Sequence, residues 1–157
     1  MPTTLKAGDA APPFEMESDR GERVSLAGLA GRWVVLYWYP KDDTPGCTTE
    51  ACEIRDNFEL ISGEADVFGV SPDSVKSHQK FRDKFRLPFP LLADADHKVS
   101  DAYGVWGPKK FMGREYMGVE RTTFVIDQAG KIARVFEKVK PAGHALEILE
   151  ALRELKS

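Results

Sequence analysis

Cysteine is scarce in this chain. There are two in 157 residues, Cys47 and Cys52. A framework of several disulfides is thereby excluded, and the C-x-x-C spacing of a thioredoxin-type exchange site is absent. Histidine is nearly as rare. His78, His97 and His144 are scattered, and with two cysteines they make no convincing zinc set, so no metal is expected. Long apolar runs are missing too: the longest, 33–39, is far too short to cross a bilayer. Neither sign of charge dominates, and a formal net charge of -3 argues against non-specific binding to nucleic acid. The N-terminal stretch has no apolar h-region, so no signal or transit peptide is expected. Two cysteines without an export signal point to the reducing cytoplasm, where such a pair is catalytic or metal-binding rather than structural. No repeat, low-complexity tract or linker divides the chain.

What is present suits one globular domain spanning 1–157, long enough to bury a substantial core. The chain is organised around residues 39–55, Y-P-K-D-D-T-P-G-C-T-T-E-A-C-E-I-R. The apolar run before them has no polar alternation and reads as a central strand covered on both faces. It stops at Pro40. Thr44 suits the N-cap of a following helix through its hydroxyl, and Pro45 suits the first helical position. Cys47 then falls in the first turn, where free N–H groups and the helix dipole favour a thiolate, the nucleophilic form.

This helix is expected to run to residue 62, with Gly63 as its C′ stop. Its apolar stripe is Cys47, Ala51, Ile54, Phe58 and Ile61, so Cys47 faces inward, while Cys52 lies outward with Arg55 and Glu59. Residues 2–13 read as extended or irregular and 14–26 as a hairpin turning at 18–21. A second buried strand is expected at 67–70 and an amphipathic helix at 73–85, with Val75, His78, Phe81 and Phe85 on one face. A short strand at 91–93 and a short helix at 99–103 follow. Residues 104–118, with four glycines and a proline, read as a surface loop. A hairpin spans 121–127 and 131–137, and a helix over 144–156 closes the chain. The pattern is α/β with a mixed sheet, its middle strands joined by right-handed crossovers. Reactive groups belong at the C-terminal ends of the parallel strands, and residues 40–47 occupy such a place.

Five residues along an ideal helix put the two Cα atoms about 8 to 9 Å apart, beyond the ~7 Å reach of a disulfide. Cys47 and Cys52 therefore cannot bond while both are helical. If they do bond, the first turns unwind and the pair alternates between two conformations. Residues alone leave other chemistries open. A cysteine hydrolase needs a His base near Cys47, and an inert interaction module needs no chemistry at all.

The segment Pro40-Lys-Asp-Asp-Thr44-Pro-Gly-Cys47 matches the P-x-x-x-T-x-x-C motif of peroxiredoxins. The longer Y-P-K-D-x-T-P-G-C-T-T-E-A-C resembles the bacterioferritin-comigratory, or PrxQ, subfamily. Residues 5–14, 120–127 and 143–144 extend the resemblance over nearly the whole chain. Trp38 departs from it, standing where Phe is more usual. The resemblance implies a thioredoxin-like fold, a mixed central sheet flanked by helices with an N-terminal hairpin, and a thiol peroxidase without cofactor. It implies that Cys47 attacks hydrogen peroxide or an organic hydroperoxide, and that Cys52 resolves the sulfenic acid to a Cys47–Cys52 disulfide. Thioredoxin or a glutaredoxin-like dithiol would reduce that bond. Thr44 would hold the peroxide, Arg121 would stabilise the thiolate, and Pro40 would shield the pocket, whose substrate-binding set is Pro40, Thr44, Gly46, Cys47 and Arg121. A monomer in the cytoplasm is expected.

Plainer readings stand beside these. A free cysteine is most often a small buried hydrophobe. Thr44 serves equally as a cap. Glu50 reads as a first-turn helix charge with a second possible role in orienting Arg121. His78 reads as packing, His97 as a loop residue, His144 as a helix start, and Lys109 and Lys110 as a solvated pair.

Overall fold

The computed structural model describes residues 3–156; Met1, Pro2 and Ser157 lie outside the described residues. The expected central strand is β3 (Val34–Trp38), every residue of it buried. It pairs in parallel with β4 (Asp66–Ser71), which pairs in parallel with β5 (Leu91–Ala93). On its other side β3 pairs antiparallel with β8 (Thr122–Ile126), and β8 with β9 (Ile132–Phe136). The N-terminal hairpin, β1 (Glu15–Ser18) and β2 (Arg23–Ser25), joins the far edge through β5. The result is a seven-stranded mixed sheet in the order β2-β1-β5-β4-β3-β8-β9.

Alternate side chains of β3 sort the core into two layers, as the two-residue period of a strand requires. Val35, Tyr37 and Tyr39 pack with Cys47, Ala51 and Ile54 of α1 (Pro45–Asp56), with Phe81 of α3 (Val75–Phe85), and with Ile148 and Leu152 of α5 (His144–Lys156). Val34, Leu36 and Trp38 face the opposite way. They pack with Phe14, Phe68, Tyr103 and Phe124, beside α4 (Lys98–Ala102). Each large apolar side chain buried in this way is worth about 1.5 to 3 kcal/mol, which is why both faces must be covered. Trp38 meets its one polar demand by donating Nε1–H to Ser100 Oγ at 2.9 Å. Among the described residues, no helix is long and apolar enough to cross a membrane.

Three sequence expectations need correction. The helix after Cys47 is not continuous to residue 62: it breaks at Asn57 (φ -110°, ψ 11°), whose Nδ2 donates to the Glu53 carbonyl at 2.8 Å. A separate α2 (Phe58–Ser62) follows. An asparagine side chain that competes for helical carbonyls gives the break a physical cause. Gly63 does end α2, but with φ -69° rather than the left-handed C′ conformation.

The largest difference is at 104–118. The expected loop is a two-stranded hairpin, β6 (Trp106–Phe111) and β7 (Arg114–Val119), standing apart from the main sheet. Its turn places Met112 at φ 51° and Gly113 at φ 81°, the two successive positive values that close a tight hairpin. Pro108 is tolerated because each strand of a two-stranded sheet is an edge.

Candidate active site

Cys47 sits where the sequence places it, in the first turn of α1 just beyond the end of β3. It is 2% exposed and packs in the helix-side core. Cys52, on the same helix, is half-buried, and both cysteines are free. Pro45 occupies the start of α1 and Thr44 the N-cap. The Thr44 hydroxyl does not cap the helix. It donates to the Lys41 carbonyl at 2.9 Å, because the tight 40–44 loop brings that acceptor within reach. The Thr44 carbonyl still accepts the first helical bond, from Thr48 N at 2.8 Å. Pro40 is half-buried and follows the last core residue of the strand run, Tyr39.

Arg121 is the residue that local sequence could not place. It directly precedes β8, the antiparallel neighbour of β3, and its guanidinium reaches across to α1. Nη2 donates to Cys47 Sγ at 3.2 Å, and Nη1 donates to Glu50 Oε1 at 2.7 Å. Gly46 makes this approach possible. A Cβ there would stand 3.3 Å from Arg121 Nη2 and 3.4 Å from Pro141 Cγ.

Glu50 is more than a helix charge. Cys47 and Glu50 are three residues apart, so they share a face of α1 and meet the same cation. Glu50 is buried, and its Oε2 and the Tyr37 hydroxyl have no hydrogen-bond partner among the described residues. Burial pushes the Glu50 carboxyl up to about 7, with Arg121 pulling the other way. Burial works against the charge on Arg121, but Cys47 and Glu50 outweigh it and raise its pKa. Burial likewise drives the Tyr37 phenol well above its usual range.

The other singled-out residues resolve differently. Lys109 is not a solvated partner of Lys110. It is half-buried, and its Nζ donates to the Val119 carbonyl at 2.8 Å. Burial lowers its pKa, opposed by the fields of Glu120 and Cys47. His97 precedes α4 and stacks on Trp106. His144 opens α5 but is buried, with Nε2 2.8 Å from Thr123 Oγ1 and Nδ1 2.9 Å from Glu147 Oε1. His78 is not mere packing: both its ring nitrogens are hydrogen-bonded.

A buried thiol at a helix N-terminus, a guanidinium on its sulfur and a second thiol on the same helix define a cysteine redox centre on a thioredoxin-like α/β fold. The comparisons with known proteins narrow that class. Residues 7–135 match the model of the AhpC/TSA family. The chain is 48% identical over 153 residues to "Peroxiredoxin Bcp" of Bacillus subtilis, covering 97% of this chain and 98% of that one. It is 46% identical to the Escherichia coli K12 protein of the same name, covering 96% and 97%. Among solved structures, the bacterioferritin comigratory protein of Xanthomonas campestris superposes with a TM-score of 0.87 at 35% identity, with 99% of each chain covered. A cysteine-to-serine mutant of Xylella fastidiosa PrxQ superposes with a TM-score of 0.92 at 33% identity, again with 99% of each covered. The chain belongs to the AhpC/TSA family and, within it, to the Bcp/PrxQ peroxiredoxins. It is a thiol peroxidase, acting on peroxides at the expense of a thiol reductant.

Proposed function

We propose that Cys47 is the peroxidatic cysteine and Cys52 the resolving one. The observation that carries this is the Arg121 guanidinium, 3.2 Å from Cys47 Sγ. Arginine does not deprotonate in proteins, so it offers the thiolate a permanent cation. The Cys47 thiolate attacks one oxygen of the peroxide, the O–O bond breaks, and the departing oxygen leaves as water or an alcohol after taking a proton. Cys47 is left as a sulfenic acid. The Cys52 thiolate then attacks the Cys47 sulfur. The S–S bond forms, the S–O bond breaks, and hydroxide leaves and is protonated to water. Hydrogen peroxide and organic hydroperoxides are both substrates in this reading.

Arg121 and Thr44 bind the peroxide beside Cys47. The Thr44 hydroxyl reaches it by turning from the Lys41 carbonyl. Gly46 leaves room for the guanidinium, and Pro40 screens the sulfur from water. The disulfide is reduced by thioredoxin or a glutaredoxin-like dithiol through a mixed disulfide. A monomer in the cytoplasm suits this cycle, because both cysteines are on one chain and a reducing compartment regenerates them.

The test is intact mass and free-thiol count on reduced protein after one equivalent of hydrogen peroxide, with no reductant added. Loss of about two mass units and of both thiols is the expected result. A gain of about 16 or 32 units instead would mean that Cys52 does not resolve Cys47. No change would remove Cys47 from the chemistry.

A further inference from the structure

The segment that has to unwind for disulfide formation is tied down on both sides, and to the same helix. Downstream of the cysteines, Arg55 Nη1 donates to the Phe85 carbonyl at the end of α3, at 2.7 Å. Upstream, Asp43 pairs with Lys84 of α3 at 2.8 Å, and Asp42 reaches Ser77 and His78 near its start. The Asp42 contacts are the buried part of this clamp. His78 is fully buried and Asp42 is 7% exposed.

The hydrogens of the pair follow from its partners. His78 Nε2 lies 3.0 Å from the Leu92 carbonyl, which only accepts, so Nε2 carries a hydrogen. His78 Nδ1 lies 2.7 Å from Asp42 Oδ2, so a second proton stands between those two atoms, whichever holds it. Ser77 Oγ donates to the same carboxyl oxygen at 2.8 Å, and the Tyr39 hydroxyl donates to Oδ1. The Asp42 backbone N–H donates to Asp73 Oδ2 at 2.8 Å, where Ser71 Oγ also donates at 2.7 Å. Asp42, Asp73 and His78 come within 4.8 Å of one another, as metal ligands would. They are a hydrogen-bond network instead. Both ring nitrogens of His78 are engaged, Nε2 by the Leu92 carbonyl and Nδ1 by Asp42, so in this arrangement neither is directed at an ion.

What this network immobilises is the launch of α1. Asp43 is held at φ 56°, and Thr44 follows at φ -104°, ψ 156° with its carbonyl on Thr48 N. The first turn is the costly part of a helix, so fixing the residues that start it stabilises the whole turn that carries Cys47. We propose that the Asp42–His78 pair is a latch that holds α1 in its helical, peroxide-reactive form, and that it sets the partition between that form and the unwound form in which Cys47 and Cys52 bond. The latch rests on the assignment of those two cysteines given above. Asp42 and His78 act through the backbone of 42–44, so they are positioning residues.

A latch on one of two conformations changes the two chemical steps in opposite directions, which general destabilisation does not do. The test compares His78→Gln with His78→Asn. The Gln amide replaces the Nε2 donor to Leu92 and abandons Asp42. The Asn amide replaces the Nδ1 donor to Asp42 and abandons Leu92. Both lose the ring. Rapid-quench thiol trapping gives the rate with hydrogen peroxide and the rate of disulfide formation, and redox titration gives the midpoint potential. From the usual worth of a charge-assisted hydrogen bond, His78→Gln is expected to slow the peroxide step about tenfold and speed disulfide formation by a similar factor. A tenfold shift toward the disulfide corresponds to a potential about 30 mV more negative. His78→Asn is expected to stay within about threefold of wild type, since the Asp42 bond is restored.

Equal behaviour of the two variants, or a slowing of both steps together, would overturn the latch. Should neither variant fold, Ser77→Ala decides. It removes one half-buried donor to Asp42 and is expected to move both rates about threefold in the same opposite directions. Unchanged rates in Ser77→Ala would then overturn the proposal. Absence of a Cys47–Cys52 disulfide in the wild type would remove the cysteine assignment and the latch together. A disulfide that forms at rates insensitive to these substitutions would remove the latch alone.

Discussion

Cys47 and Glu50, about one turn apart on α1, meet opposite branches of one guanidinium. Arg121 Nη2 is 3.2 Å from the sulfur and Nη1 is 2.7 Å from Glu50 Oε1. One cation thus serves two groups that both become anions. Burial settles the competition at low pH by keeping Glu50 protonated up to about 7. Below that pH Glu50 is neutral and does not compete for the guanidinium. Above it the Glu50 carboxylate draws on the same positive charge that faces the Cys47 sulfur.

Glu50 therefore gives stability a definite pH dependence. Its carboxyl holds a proton to about 7 in the folded chain, against 4.5 as the ordinary value. Between those two pH values the native state binds more protons than the unfolded chain, so stability from this group is full below the lower value and is lost as pH rises through the upper one. The change is on the order of 3 kcal/mol at most. Urea midpoints of the reduced protein are expected to fall across this window relative to Glu50→Gln, in which the group does not titrate. A difference between the two proteins that stays constant with pH would contradict a protonated Glu50.

Arg121→Met removes the cation that lies on Cys47 Sγ and leaves Glu50 buried without a partner. A hydrogen bond to a charged group is worth about 1.5 to 3 kcal/mol, so the second-order rate with peroxide is expected to fall about 10- to 100-fold. Arg121→Lys is not expected to rescue it, because an ammonium has no planar fork with which to hold the sulfur and the carboxylate at once. Single-turnover kinetics on the reduced protein measure this directly.

Gly46→Ala separates activity from stability. A Cβ would stand 3.3 Å from Arg121 Nη2, so the guanidinium has to give by a few tenths of an ångström where it meets the sulfur. Alanine is otherwise the better helix former, by up to about 1 kcal/mol. The expected outcome is a peroxide rate reduced at least severalfold with little change in Tm. A Tm loss matching the loss of activity would mean that the side chain disrupts the fold rather than the cation.

The parts of this molecule written in contiguous residues were legible in advance. The run into β3, the Thr44-Pro45 start of α1 and the inward face of Cys47 need only local sterics and periodicity. The Cys47–Arg121 contact joins residues 74 apart, and no local pattern pairs them. Only the family resemblance supplied Arg121. The β6–β7 hairpin was hidden for a different reason. It stands off the main sheet with most of β7 exposed, so it needs no apolar alternation, and its glycines and proline read as loop. His78 was obscured by its neighbours: Phe81 on the same face of α3 made it look like packing, while its partner Asp42 lies 36 residues earlier.

Trp38 tests how separable the two layers are. It follows Tyr37 in β3, so its indole lies on the face opposite Cys47, among Phe14, Tyr103 and Phe124. Its Nε1–H donates to Ser100 Oγ, which in turn donates to Asp94 Oδ2 at 2.6 Å. Trp38→Phe removes the first of these bonds and leaves Ser100 its tie to Asp94. It also leaves a void where the second ring was. The bond and the void together are expected to cost about 1 to 3 kcal/mol, which for a chain of this length lowers Tm by several degrees. The peroxide rate is expected to stay at the wild-type value, because the sheet itself separates the indole from the sulfur. A rate change larger than about twofold, measured where the variant is fully folded, would mean that the far layer of the core positions the active site through β3.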